Sequence, residues 1–201
     1  MTFFGGRFRG EQSPLCHMSQ QPALLNSFIK ALPPSRKGIQ VLDLGSGYNR
    51  WAISMAELGY HVTAIDQSPQ TVFHANLDFH QGDVVEWLQG LADDVQFDGI
   101  FMRYILHLFP HDVVVNELMP LLRKHLVPGG VMAIETFYLP PAPPFSEDHR
   151  HPSYWTTDQL WELMPDMKVC HEDEAPDLRL DMSGNERTFF SSQIVVKNVA
   201  A

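Results

Sequence analysis

The chain has 201 residues, 44% hydrophobic and 19% charged, a balance that suits one sizeable core and excludes wholesale disorder. Its formal net charge of -10 and its scattered basic residues argue against nucleic acid, whose binding rests largely on neutralising phosphates, and favour a small-molecule ligand. No apolar run reaches the length of a membrane span, and the start MTFFGGRFRGEQS has no signal-like apolar core, so a cytoplasmic protein is expected.

Residues 1–38 read as an N-terminal segment in which PALLNSFIKAL forms a short amphipathic helix ended by Pro33-Pro34. IQVLDL (39–44) is a continuous apolar strand of the kind buried on both faces. RWAISMAELG (50–59) places Trp51, Met55 and Leu58 at helical spacing, with Gly59 as its stop. HVTAID (61–66) and LDFHQGD (77–83) are the second and third strands, VVEWLQGL (84–91) a helix, and FDGIFM (97–102) the fourth strand. DVVVNELMPLLRKHL (112–126) is helical in pattern, with Pro120 as a kink or division, and VMAIETF (131–137) is the fifth strand after the Pro128-Gly129-Gly130 turn.

The rhythm then changes. Residues 138–155 form a Pro-rich loop, and TDQLWELM (157–164) is a helix with Leu160, Trp161 and Met164 on its packing side. MKVCHEDEA and RTFFSSQIVVKN, separated by the turn signal Ser183-Gly184-Asn185, form an antiparallel hairpin at one sheet edge. The expected fold is α/β: a doubly wound, mostly parallel seven-stranded sheet flanked by helices and closed by that hairpin, spanning 39–198. Cys16 and Cys170 lack framework spacing and are expected as free thiols.

Ligands of open α/β sheets bind beyond the carboxyl ends of the strands. Asp43-Leu44-Gly45-Ser46-Gly47 ends strand one, Asp66-Gln67 ends strand two, Asp83-Val84 follows strand three and Arg103-Tyr104 follows strand four. Glycines let backbone amides approach a ligand, and the helix near Asn49 presents its positive end. Asp66 can accept from a ribose diol, although Asp66-Gln67-Ser68-Pro69 equally suits a cap or turn. Asp83 can accept from an exocyclic adenine amino group, with the Val84 amide facing a ring nitrogen.

Over residues 39–198 this succession resembles the class I S-adenosylmethionine-dependent methyltransferases. VLDLGSG is similar to the first motif of that class, VTAIDQSP to its ribose-binding acidic motif and FHQGDVVEW to its adenine-contacting motif; FDGIFMRYILHLFP and LRKHLVPGGVMAIETF are similar to the fourth and fifth strand segments. The E-T-F sequence, Pro-rich insert and closing hairpin resemble the small bacterial tellurite-resistance-type group. Asn49 departs from the pattern where a third glycine is common, and Asn tolerates the left-handed backbone better than most residues.

The resemblance implies S-adenosyl-L-methionine as cofactor, bound by Asp43, Gly45, Ser46, Gly47, Asp66, Gln67, Asp83, Val84, Arg103 and Tyr104, with Arg103 and Tyr104 beside its methionine portion mainly through backbone. In-line methyl transfer to a small acceptor needs little beyond proximity and exclusion of water. His107 and Tyr138 are the candidate catalytic side chains, with packing roles as their alternatives. Arg179 and Arg187 flank the hairpin turn and are candidates for an anionic substrate, with ordinary solvated arginines as the alternative. The N-terminal segment and the 138–155 insert are expected to close over the acceptor.

Glu147-Asp148-His149-Arg150-His151 has ligand chemistry without a rigid scaffold or supporting spacing, so no metal is expected. An NAD-dependent oxidoreductase shares the strand-end glycines and acid. Against it stand Asp43, Arg50 at the position of a third glycine and the lack of a second domain for a hydride acceptor. A non-catalytic cofactor-binding module is the third reading, and the oligomeric state is unassigned.

Overall fold

In the computed structural model residues 22–70, 72–138, 152–180 and 186–199 are described, with backbone alone at 177–180 and 186–189. The continuous apolar runs become the middle of a seven-stranded sheet. β1 (Gln40–Leu44), β2 (His61–Asp66), β3 (Leu77–Gln81), β4 (Phe97–Arg103) and β5 (Leu126–Phe137) are linked by parallel pairings. β7 (Glu186–Asn198) runs antiparallel to β5, and β6 (Met167–Leu180) lies outside it, giving the order β3-β2-β1-β4-β5-β7-β6. This is the doubly wound, mostly parallel architecture expected, with the hairpin at one edge. Strand order reverses between β1 and β4, which opens a crevice at their carboxyl ends.

Period-two alternation divides the core. Leu42, Ile65, Ile100, Met132 and Ile134 face α3 (Val84–Gln89), α5 (Met119–Lys124) and α6 (Thr157–Glu162). Val41, Phe101, Ala133 and Val195 face α1 (Ala23–Ala31) and α2 (Arg50–Glu57). α1 is amphipathic as its spacing predicts, and Leu24, Leu25 and Phe28 are fully buried. Asp43 follows Val41 by two residues and therefore shares the α1/α2 face, where it is buried at 2% exposure.

Several elements differ from the local reading. α4 (His111–Val113) passes through a π-helical turn (Val114–Leu118) into α5, so the helical path continues through Pro120. Proline has no N–H for the α-helical bond to residue 116, and a widened turn just before it accommodates the missing donor. β5 begins at Leu126, ahead of the glycine turn: Phe97 pairs with Leu126 and Gly99 with Val131, so residues 127–130 bulge out opposite Asp98. The hairpin strands are longer than expected, because pairing persists from Met167↔Asn198 to Leu180↔Glu186. On α6, Leu160 is buried while Trp161 is half exposed, and Met164, expected on the same helix, is buried just past its end. The Ser183-Gly184-Asn185 turn, most of the Pro-rich insert, Cys16 and the Glu147–His151 cluster lie outside the described residues.

Candidate functional site

The crevice is a cleft of about 330 Å3 built from three strand ends. From β1 it takes Asp43, Gly45, Ser46 and Gly47, from β2 Asp66 and Ser68, and from β4 Arg103 and Tyr104; Trp51, Ile105 and Leu108 complete it. Seven of the ten residues expected to bind cofactor therefore line one space. Gln67, Asp83 and Val84 adjoin it at the ends of β2 and β3 and are absent from its lining.

The glycine turn is held from the neighbouring strand. The amides of Gly45 and Ser46 donate to the Ile65 carbonyl at 2.9 and 3.2 Å. Gly47 donates to Asp66 Oδ2 and Ser68 to Asp66 Oδ1, each at 2.8 Å. Asp66 thus fixes the turn through both oxygens, and each retains acceptor capacity toward the cleft. Gly45 has φ 72°, and a Cβ there would lie 2.3 Å from Ile105 Cδ1, so only glycine fits. Asn49 takes φ 61°, the left-handed backbone its residue type tolerates, and its carbonyl starts the α2 ladder with Ile53. The Ser46 hydroxyl donates to Asn49 Oδ1 at 2.7 Å.

Asp43 is the electrostatic centre of the cleft. Burial foremost, then the Asp66 charge, pushes its carboxyl up to about 7, partly offset by the Ala52 backbone N–H. Its Oδ2 has no hydrogen-bond partner among the described residues.

A lateral row of polar residues crosses the same face of the sheet one step further along. Arg103 pairs with Glu135 across β4 and β5, and Glu135 pairs with Gln193 across β5 and β7. Glu135 is only 3% exposed and accepts from Arg103 Nε, from the Tyr104 hydroxyl at 2.6 Å and from Gln193 Nε2 at 3.0 Å. Its charge is paired and hydrogen-bonded, the condition under which a carboxylate remains buried. Tyr104 adopts φ 56°, an outlier for an aromatic residue, while its amide bonds the Glu135 carbonyl at 2.7 Å and its ring stacks on Phe137 at 4.8 Å. The Arg103 guanidinium lies 4.5 Å from the Tyr104 ring centroid and 5.5 Å from that of Trp51.

At β3, Asp83 caps α3, its Oδ1 accepting from the amides of Val85 (2.9 Å) and Glu86 (3.1 Å). Oδ2 faces Gln67 Nε2 at 3.4 Å. The Val84 amide is the first of α3, one of the donors a helix leaves without an intrahelical partner.

The candidate catalytic residues His107 and Tyr138 are absent from the cleft lining. His107 is buried in a 3-10 turn (Leu106–Leu108) with its ring 4.6 Å from Phe137, and the 152–155 segment bonds its carbonyl through Ser153 N at 3.4 Å. Tyr138 lies edge-on to Phe190 at 5.6 Å, and burial foremost, then Glu174, raises its phenol above the ordinary value, which favours the neutral phenol. Arg179 and Arg187 are register partners on the part of the hairpin that runs past Phe137↔Ser191, the last pair joining β5 and β7. No group of three or more metal-ligating side chains occurs among the described residues.

Local reading missed Trp51, Ser68, Ile105, Leu108, Glu135 and Gln193. Glu135 carried a signal: a carboxylate inside the apolar run VMAIETF must find a partner. For Trp51 the helical spacing suggested packing alone. Nothing in the sequence marks Ile105, Leu108 or Gln193.

A family model described as "Methyltransferase domain" matches residues 15–179. A Ubiquinone biosynthesis O-methyltransferase of Xanthomonas axonopodis pv. citri is 31% identical over 140 residues, covering 66% of this chain and 56% of that protein. The chain spans about half the length of the curated relatives it matches. Among solved structures, TehB from Haemophilus influenzae aligns with TM-score 0.66 at 17% identity, covering 87% of this chain and 61% of that one. The N-methyltransferase NodS from Bradyrhizobium japonicum WM9, in complex with S-adenosyl-l-homocysteine, aligns with TM-score 0.62 at 12% identity, covering 88% and 84%. The strand order, the carboxylate-edged glycine turn and the family match over most of the length agree: the chain belongs to the methyltransferase-domain family.

Proposed function

We propose that this protein is an S-adenosyl-L-methionine-dependent methyltransferase acting on a small molecule in the cytoplasm. The observation that carries the reading is the buried Asp43 carboxylate, whose Oδ2 has no partner among the described residues, in a cleft shared with Asp66 at the reversal of strand order. A cationic nucleoside matches two carboxylates, whereas the phosphates of a dinucleotide would meet them with like charge. The donor, when bound, supplies an electrophilic methyl group on a sulfonium.

The chain's own residues have separable tasks. Asp66 accepts from the ribose hydroxyls with the lone pairs left after binding Gly47 and Ser68. Asp83, with Gln67 beside its Oδ2, and the Val84 amide recognise the adenine edge. Asp43 balances positive charge, and Ile105 and Leu108 exclude water. On the acceptor side, His107 and Tyr138 orient the incoming group, and Arg179 and Arg187 draw an anionic one toward the hairpin. The E-T-F strand end and the likeness to TehB support placing the chain in the tellurite-resistance-type group, with the 138–155 insert as a covering segment; α1, within the N-terminal segment expected to close over the acceptor, is instead built into the sheet core.

Calorimetric titration with S-adenosylmethionine and S-adenosylhomocysteine tests the reading, and no binding of either would sink it. Asp66→Ala should weaken both by roughly tenfold to hundredfold through lost hydrogen bonds to the diol. Unchanged affinity would overturn the ribose assignment. Turnover with a panel of thiols, amines, phenols, small acids and metalloid oxyanions then identifies the acceptor, and NAD should fail to compete for the cleft.

A further inference from the structure

The cleft that holds two carboxylates also contains one guanidinium. Arg103 lines it at 24% side-chain exposure, and its ion pair with Glu135 uses Nε. The two terminal nitrogens make no hydrogen bond among the described residues, so the planar end of the fork is available. Its position is over-determined: Glu135 holds it from behind, and the rings of Trp51 and Tyr104 lie within 5.5 and 4.5 Å of the guanidinium carbon. Glu135 is itself fixed by Tyr104 and Gln193. Ordering a long side chain before the ligand arrives removes an entropic cost of binding.

Asp43 pairs with Phe101, and Arg103 follows Phe101 by two residues, so Asp43 and Arg103 lie on one face of adjacent strands. The ligand of the proposed function ends in an amino acid, with an ammonium and a carboxylate on one carbon. We infer that Arg103, through its side chain, clamps the α-carboxylate of the donor, while Asp43 serves its ammonium side. The inference rests on the donor reading above and goes beyond it by assigning a side-chain role where backbone contact was expected. Arginine suits the task because its fork matches a carboxylate in a bidentate manner that lysine cannot reproduce.

The test compares S-adenosylhomocysteine with its decarboxylated analogue, in which hydrogen replaces the α-carboxylate, by calorimetry on wild type, Arg103→Gln and Arg103→Lys. Wild type should bind the analogue roughly tenfold to hundredfold more weakly, the scale of a charge-assisted pair. Arg103→Gln should weaken S-adenosylhomocysteine by a similar factor and lose the preference for the carboxylate; Arg103→Lys should retain part of it. The comparison on wild type needs no variant to fold, and melting curves identify any variant that does not. Equal affinity of wild type for the two ligands, or an undiminished preference in folded Arg103→Gln, would overturn the clamp. Absence of binding by both ligands would instead remove the donor reading itself.

Discussion

The geometry of the site depends on a few residues that are costly where they stand. Asp43 is the clearest. Its carboxyl is pushed up to about 7 from an ordinary value of 3.8, chiefly by burial and then by Asp66. Between those values the folded protein keeps a proton that the unfolded chain releases. The contribution of this group to stability is therefore full at low pH, declines as pH rises from about 4 to about 7 by up to about 1.4 kcal/mol per pH unit, and is level above. Asp43→Asn cannot ionise, so its melting temperature should gain on wild type as pH rises from about 4 to about 7. Parallel curves for the two proteins over that range would contradict the assignment. Glu135 follows a different logic: Arg103, Tyr104 and Gln193 supply hydrogen bonds, so its burial is compensated.

At the scale of elements, local sequence explains the strands and most helices, and contacts between elements explain the rest. α1 reaches the sheet because β4 has no side chain at Gly99. A Cβ there would lie 2.6 Å from Phe28 Cζ and 2.9 Å from Leu32 Cδ2, both on buried residues. Gly99→Ala should therefore cost about 1–3 kcal/mol by overpacking. Denaturant midpoints measure it, and Gly99→Ala combined with Phe28→Leu should recover part of the loss. A midpoint unchanged in the single variant would mean that α1 adjusts freely. At the other end of the sheet, Asp83 caps α3 through Oδ1 while its Oδ2 faces Gln67 at the end of β2.

For the whole molecule, the cleft opens at the carboxyl ends of the central strands, and the hairpin at the lateral edge runs past β5 at that same end. Only β1, β2 and β4 line the cleft, while β6 and β7 extend beyond the end of β5. No helix among the described residues is long and apolar enough to cross a membrane. With a net charge of -10 and no basic run, the molecule should show no salt-sensitive affinity for RNA or duplex DNA. Fluorescence polarisation with labelled oligonucleotides across a salt series tests this. Binding that weakens steeply with salt would reveal a basic surface assembled by folding and would reopen the class of acceptor.

The sequence by itself determined the strands, the glycine turn and the acids at successive strand ends, because strand period, turn chemistry and caps are set by near neighbours. It placed Asp43, Asp66 and Asp83 correctly at strand ends for that reason. The tertiary structure alone decided that Arg103 meets Glu135, 32 residues away, and that Glu135 meets Gln193, 58 residues away. Those meetings depend on lateral register between strands, which is fixed when the two apolar faces of the sheet pack against their helices. The same packing decides that Trp51 and Ile105 close the cleft, and that α4 and α5 continue past Pro120 through a π turn. An isolated charge in VMAIETF announces that a partner exists; only the assembled sheet identifies it.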